Sequence, residues 1–212
     1  LQSVRITTLP AAGTLTLAAG ASAPGPVVAG QIVSLADIAF LTYTPGLHGN
    51  GTGYSNFTFQ VIDDGGTADG GINEDQSANT VTFDVVSVND APDGTDNTVS
   101  TLEDTMLSFT AADFGFTDVN DSPANVLQSV IITTIPALGT LSLAAGASAP
   151  GPVIAGQEIS AADLAFLRYM PPANANGTAY ANFTFQVRDD GGTANGGINL
   201  DPVANTITID VV

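Results

Sequence analysis

The stretch that decides the fold is Asn56-Phe-Thr-Phe-Gln-Val61, which recurs without change at residues 182–187. Its apolar and polar side chains alternate, so Phe57, Phe59 and Val61 lie on one face of an extended chain. Such alternation is typical of a strand with one buried and one exposed face. The same pattern marks three further stretches and their second copies, namely residues 3–8, 14–17 and 80–85. The sequence therefore predicts an all-β chain built in two layers.

The repeat extends well beyond this stretch. Residues 1–86 align with residues 127–212 at a constant offset of 126 without a gap, and about 62 of the 86 positions are identical. A period of this length matches a whole domain, so it predicts a tandem array of separate domains. Residues 87–126 occur only once. We predict a repeat lacking its N-terminal strands at residues 1–87 and a complete repeat at residues 88–212, unless the true structural unit is permuted relative to this boundary.

One short helical turn is predicted in each repeat. Ser34-Leu-Ala-Asp37 and Ser160-Ala-Ala-Asp163 each place a capping residue three positions ahead of an acid. A strand that ends near Tyr43 or Tyr169 is expected to follow. The predicted role of both turns is packing.

The charge is strongly unbalanced, with 21 acidic residues, three arginines and no lysine, which gives a net charge of -18. This excludes a typical nucleic-acid-binding surface and disfavours anionic membranes, both of which need basic patches. The carboxylates repel one another in a compact fold, so bound divalent cations are expected, although the acids could simply keep the surface soluble. No apolar run reaches the length of a membrane span, and no cysteine is present to form disulfides.

Catalytic chemistry has little support in the sequence. His48 is the only histidine, and the second copy has Asn174 in its place. No serine–histidine–aspartate set can therefore occur in both repeats, and no cysteine nucleophile exists. We predict that the protein is not an enzyme.

Two groups of residues carry a family resemblance. Ile6-Thr-Thr-Leu-Pro-Ala-Ala-Gly-Thr-Leu15, followed by Gly30-Gln31, Asp37-Ile38 and Leu41-Thr-Tyr43, resembles the chondroitin-sulfate-proteoglycan-type repeat, a cadherin-like β-sandwich. Val88-Asn-Asp-Ala-Pro92 followed by Leu102-Glu-Asp-Thr105 resembles the junction between cadherin-like domains of large bacterial surface adhesins. The resemblance implies tandem Ig/cadherin-like β-sandwich domains, an extracellular stalk or adhesin, and Ca²⁺ near the interdomain linkers. The linker departs from animal cadherins, because only Asn89 and Asp90 represent their fuller acidic motif.

Calcium binds six to eight oxygen ligands, which carboxylates and amides in turns can supply. In the complete repeat the candidates lie in three segments that a cadherin-like topology can bring together. A further acidic pair follows the junction at residues 88–92, which we call the joint. These candidate metal ligands are Asn89 and Asp90, Asp118 and Asp121, Asp189 and Asp190, and the further pair Glu103 and Asp104. The opposing interpretation is that these Asp-Gly and Asn-Asp pairs are ordinary turn formers.

A second calcium site is predicted in the glycine-rich loop that follows the strand at residues 56–61. Asp63 and Asp64, which correspond to Asp189 and Asp190, could share an ion with Asp75. Asp75 recurs as Asp201 in the second copy.

The function expected from these features is structural and adhesive. Each repeat would be a calcium-stiffened part of the stalk of a giant protein that is secreted or displayed on a bacterial surface, as in a biofilm, and its partners would be neighbouring repeats of the same chain. One alternative is a self-assembling fibre or sheath subunit that joins other copies of itself by strand addition. A carbohydrate-binding module is the second alternative, with its aromatic platform drawn from Tyr43, Tyr54, Tyr169 and Tyr180.

Overall fold

The computed structural model describes residues 1–212, which divide into two compact units, Leu1–Ser87 (unit 1) and Val88–Val212 (unit 2). The regular structure consists of strands and short 3₁₀ turns. None of these turns has the length and apolarity that a membrane-spanning helix needs. The prediction of an all-β chain is confirmed.

Unit 1 contains seven strands in two sheets. They are β1 (Ser3–Thr8), β2 (Thr14–Leu17), β3 (Gly25–Pro26), β4 (Ile32–Ser34), β5 (Leu41–Thr44), β6 (Gly51–Ile62) and β7 (Asn79–Val85). One sheet has the order β4-β1-β6-β7 and the other has the order β3-β2-β5. The strand order leaves β7 and β5 as edge strands of their sheets.

Unit 2 contains nine strands, of which seven repeat the order of unit 1. They are β8 (Asn97–Thr101), β9 (Leu107–Ser108), β10 (Leu127–Ile132), β11 (Thr140–Leu143), β12 (Gly151–Pro152), β13 (Gln157–Ser160), β14 (Leu167–Met170), β15 (Gly177–Asp189) and β16 (Asn205–Val211). The sheets have the orders β13-β10-β15-β16-β8 and β12-β11-β14-β9. The two additional strands each extend one sheet, since β8 pairs parallel with β16 and β9 pairs antiparallel with β14.

The core of unit 2 lies between its two sheets. Phe183, Phe185 and Val187 alternate along β15 as inward-facing residues, and all three are fully buried. They belong to one apolar cluster with residues of the other sheet, including Leu141 and Tyr169. A cluster that draws on both sheets is consistent with a β-sandwich. Each fully buried aliphatic or aromatic side chain of this kind contributes about 1.5–3 kcal/mol.

The predicted helical turns occur as 3₁₀ turns, Ile38–Phe40 and Asp163–Phe166, and each is followed directly by a strand. Asp37 accepts hydrogen bonds from the Ser22 and Ser34 hydroxyls, and the first of these bonds lowers the pKa of Asp37 most strongly. The structure has more helical turns than the one per repeat that was predicted. Further 3₁₀ turns occur at Ala68–Gly70, Ala111–Phe114 and Ala194–Gly196.

Candidate metal centre in unit 2

The candidate centre begins at the end of β15, where the alternation that builds the core continues into a carboxylate. Asp189 follows Phe183, Phe185 and Val187 in the inward-facing row and is 0% exposed. A buried carboxylate is costly unless hydrogen bonds or a cation compensate it. The N–H of Gly191 donates to Asp189 Oδ1 at 2.8 Å.

Asn89 connects the start of unit 2 to this buried carboxylate. Its Nδ2 donates to Asp189 Oδ1 and Oδ2 at 3.1 and 3.2 Å and to the carbonyl of Ile198 at 2.7 Å. Its own carbonyl accepts from the N–H of Ile198 at 2.9 Å, and its Oδ1 accepts from Asn125 Nδ2. The predicted joint residue is therefore held on both its main chain and its side chain.

Main-chain N–H groups hold three further carboxylates in the same region. Asp121 Oδ2 accepts from Asp90 N–H at 2.9 Å, and Asp118 Oδ2 accepts from Asn125 N–H at 2.5 Å. Asp190 Oδ1 accepts from the N–H of Val126 at 2.9 Å. These contacts join the three segments in which the sequence placed the ligands.

One carboxylate oxygen of this group has no compensating contact. Asp118 is 9% exposed, and its Oδ1 is buried without a hydrogen-bond partner. An unsatisfied buried polar atom costs about 1–3 kcal/mol, and more when it is charged. Asp118 Oδ1 is therefore an oxygen ligand for which the fold supplies no donor.

The carboxylates are close enough to repel one another. Burial raises the pKa of Asp189 above its ordinary value of 3.8, and the charges of Asp118 and Asp190 raise it further, against hydrogen bonds from Gly191 and Asn89 that lower it. Burial also raises the pKa of Asp121, and the charges of Asp118, Asp90 and Asp189 add to that effect. The arrangement favours anything that brings positive charge to these oxygens.

Glu103 and Asp104 lie at the other end of β8. Asn97 at the start of β8 pairs with Ile207, whereas Thr101 at its end pairs with Val211. Beyond that end, Glu103 N–H donates to the carbonyl of Val212 at 2.9 Å, and Asp104 Oδ1 accepts from Asn174 N–H at 2.9 Å. The structure therefore does not bring these two candidates to Asp189.

Asp201 and Asp75 accept equivalent hydrogen bonds in the two copies of their turn. Asp201 is 2% exposed and accepts from the N–H groups of Gly94 and Val203 at 2.8 Å and from Asn205 Nδ2 at 2.7 Å. Asp75 makes the corresponding bonds to Ser77 and Asn79, and the Ser77 N–H is the main cause of its lowered pKa. In the first copy, Asp63 and Asp64 are exposed, and Asp63 Oδ1 accepts only locally, from Gly65 N–H at 2.7 Å.

Two residues of the centre were missed by the sequence reasoning. Asn125 donates to both Asp118 and Asn89, and Gly191 lies so close that a Cβ there would overlap Asn89 Oδ1 and Asn125 Nδ2. Only the polar loop around residues 118–126 gave any signal for Asn125. Gly191 gave none, because Gly65 lies in an identical local sequence.

Two of the four tyrosines considered for sugar binding, Tyr43 and Tyr169, pack in or against the hydrophobic cores. Tyr169 is fully buried and donates to the carbonyl of Leu138 at 3.1 Å. Tyr43 donates to the carbonyl of Ala12 at 2.9 Å and stacks on Phe83 with ring centroids 3.8 Å apart. Neither of these rings forms an open platform for a sugar.

No three or more histidine, aspartate or glutamate side chains are arranged as a ready-made metal site. Comparison with known proteins adds no further constraint, since no family model, curated protein or solved structure matches the chain.

Proposed function

We propose that the chain belongs to a structural, adhesive extracellular protein built from cadherin-like β-sandwich repeats, in which Ca²⁺ bound at the start of unit 2 stiffens the stalk. The observation that carries this proposal is Asp118 Oδ1, a buried oxygen without a donor beside the electrostatically coupled Asp121 and Asp189. A cation at this point offsets the burial cost and the mutual repulsion together.

The set of ligands favours calcium among the common metal ions. All of the candidate groups are oxygens, from Asp118, Asp121, Asp189 and Asp190 and from the amide of Asn89, and no cysteine is present. Oxygen ligands in irregular loops suit Ca²⁺, which accepts six to eight ligands in flexible geometry, better than Mg²⁺, which demands an octahedron.

The mechanical role follows from where these residues lie in the chain. Asn89 and Asp90 come directly after the boundary between the two units, at Ser87 and Val88. An ion that joins them to the loop at residues 118–121 and to the end of β15 restricts how the chain leaves that boundary. Such a role is mechanical rather than catalytic, and it suits a chain displayed outside a bacterial cell.

The first test measures the thermal unfolding of the whole chain with millimolar Ca²⁺, with Mg²⁺, and with excess chelator. A ligand that binds only the folded state stabilises it by about 2.7 kcal/mol at a hundredfold excess over its dissociation constant. We expect Ca²⁺ to raise the midpoint of unit 2, assigned by hydrogen-exchange mass spectrometry, and Asp118→Asn to remove most of the increase. Asp63→Asn in unit 1 is the control, and with this variant Ca²⁺ should still raise the midpoint of unit 2. Identical melts with Ca²⁺ and with chelator would exclude the calcium site.

Acidification gives a second readout with a defined sign. An acid whose pKa is raised in the folded state destabilises the fold while ionised, and this penalty fades as the pH falls through the raised pKa towards 3.8. Chelated unit 2 should therefore gain stability in that window, whereas the calcium-bound form should lose stability because its ligands become protonated. Asp163, whose pKa is lowered mainly by the Ser148 hydroxyl, affects stability only below this window.

A further inference from the structure

Unit 1 leaves one side of its core open. Val61 is 38% exposed, whereas its counterpart Val187 is 0% exposed. The same contrast holds for four more pairs of aligned apolar residues, half-buried in unit 1 and fully buried in unit 2: Tyr43 and Tyr169, Phe59 and Phe185, Val81 and Ile207, and Phe83 and Ile209.

The residues that close this side in unit 2 belong to residues 88–126, the part of the unrepeated stretch that lies in unit 2. Its strand β8 lies along β16, and β9 lies along β14. Phe109 packs edge-on against Phe183 with centroids 5.5 Å apart, and Phe114 packs edge-on against Phe185 at 4.9 Å. In unit 1 the aligned Phe57 and Phe59 have no edge-on ring against them, although Phe57 lies 5.9 Å from Phe83.

Unit 1 also has a surface that could receive the beginning of this segment. A cavity of about 480 Å³ is lined by Val61, Asp63, Ile72 and Asp75, among others. Their counterparts in unit 2 contact the segment directly: Asn89 bonds to Asp189 and Ile198, and Gly94 N–H donates to Asp201 at 2.8 Å. The cavity therefore corresponds to the surface that residues 89–94 occupy in unit 2.

We propose that this open face of unit 1 is a docking site for a further copy of the segment 88–126, bound in the register that unit 2 shows. The strand equivalent to β8 would pair parallel with residues 81–85 of β7, and the strand equivalent to β9 would pair antiparallel with residues 42–43 of β5. The two phenylalanines of the segment would pack edge-on against Phe57 and Phe59 and cover the half-buried Phe59. This proposal is independent of calcium.

A second whole copy of the chain is a poorer occupant. The segment of that copy already closes the core of its own unit 2, so an exchange would open one core in order to close another. The occupant that gains buried apolar surface is a segment not already folded into a unit, as another repeat could present.

The test adds a fluorescently labelled peptide of residues 88–126 to the whole chain in the presence of chelator and follows anisotropy. We expect saturable binding with new hydrogen-exchange protection in residues 41–44 and 79–85. A matched peptide carrying Phe109→Ser and Phe114→Ser should bind about a hundredfold more weakly, because two aromatic side chains no longer fill the core. Val61→Asp, at a position exposed in the free chain, should weaken binding of the unchanged peptide.

Three results would overturn this proposal. These are absence of saturable binding, equal affinity of the two peptides, and protection that spares both the two edge strands and the cavity-lining residues 61–75. Concentration-dependent dimerisation of the chain that competes with the peptide would assign the face to a second copy instead. Because chelator is present throughout, none of these outcomes depends on whether the calcium site exists.

Discussion

Units 1 and 2 place nearly the same sequence in two different environments. The stretch at residues 56–61 is identical to that at 182–187, yet Val61 is 38% exposed and Val187 is 0% exposed. The acids that follow differ in the same way, since Asp63 is exposed and Asp189 is fully buried. Burial and electrostatic environment in this fold are therefore decided by the segment at residues 88–126 as much as by the strands themselves.

Unit 1 compensates in part with a contact of its own. Phe83 stacks on Tyr43 with a centroid distance of 3.8 Å and also lies 5.9 Å from Phe57. The corresponding residue in unit 2 is Ile209, whose fully buried side chain packs in the closed core. A larger aromatic residue thus occurs in the unit with the more open core.

The largest loss of stability is expected when unit 2 loses an aromatic side chain of the segment at residues 88–126, which unit 1 does not contain. Phe114→Ala removes a fully buried ring from its perpendicular contact with Phe185, and changes of this kind cost about 3–5 kcal/mol. Denaturant unfolding followed by hydrogen exchange should show unit 2 destabilised by this amount and unit 1 unchanged. Val119→Ala, at a position 78% exposed, serves as the control. An equal loss in both units would contradict the independence of the two cores.

A smaller effect is expected from one substitution made at equivalent glycines. A Cβ at Gly191 would overlap Asn89 and Asn125. A Cβ at Gly65 would meet only the side chain of Asp63, with Oδ1 nearest at 3.0 Å, and that side chain is exposed and can move. Gly191→Ala should destabilise unit 2 by about 1–3 kcal/mol, as overpacking does. Gly65→Ala should stay within about 0.5 kcal/mol, as for most surface changes.

The same measurement reads both glycine variants, namely the denaturant midpoint of each unit. Equal midpoint shifts for Gly191→Ala and Gly65→Ala would mean that Asn89 and Asn125 do not rest against the loop that follows β15. A shift confined to the Gly191 variant would support the packing of residues 89–94 against the loop that follows β15, and both proposals depend on that packing.

The all-β fold was predictable because alternation is local: each of the four patterned stretches carries its own evidence. Grouping Asn89, Asp90, Asp118, Asp121, Asp189 and Asp190 was possible only through an assumed topology. Their contacts span up to 100 residues, as between Asn89 and Asp189.

Other features of the site could not be predicted, because no local pattern distinguishes them. Asp75 and Asp201 resemble metal ligands in sequence; in the structure Asp75 accepts hydrogen bonds within its own turn, and Asp201 accepts from its own turn and from the N–H of Gly94. Glu103 and Asp104 follow the joint closely in sequence. However, β8 lies between them and the joint, so they lie beyond its far end, near the end of β16. An extended strand separates residues that a list of acids groups together.

The smallest effect concerns an ion pair that the two units place at different positions. In unit 1, Arg5 Nε donates to Glu74 Oε1 at 2.5 Å, and the aligned residues of unit 2 are Ile131 and Leu200. In unit 2, Arg188 Nε lies 3.6 Å from Glu158 Oε1, and the aligned residues of unit 1 are Ile62 and Ile32.

These four positions are neighbours in the sheet. Arg5 is paired with Ile32 across β1 and β4, and Ile62 forms a bridge with Glu74. Each unit therefore combines one ion pair with one apolar pair on the same patch of sheet, with the two pairs exchanged. Such an exchange is expected if the members of each pair depend on each other.

Glu74→Leu alone should lower the unfolding midpoint of unit 1 slightly, because it leaves the half-buried Arg5 beside apolar neighbours. Adding Arg5→Ile should restore the midpoint, since the double variant reproduces the residues of unit 2. The loss on Glu74→Leu should shrink at high salt, which screens exposed charges. It should also shrink as the pH falls below 4.5, because Arg5, chiefly through its hydrogen bond, lowers the pKa of Glu74 and this stabilisation fades on protonation. A double variant less stable than Glu74→Leu would contradict the expectation that the apolar residues of unit 2 replace the ion pair without loss.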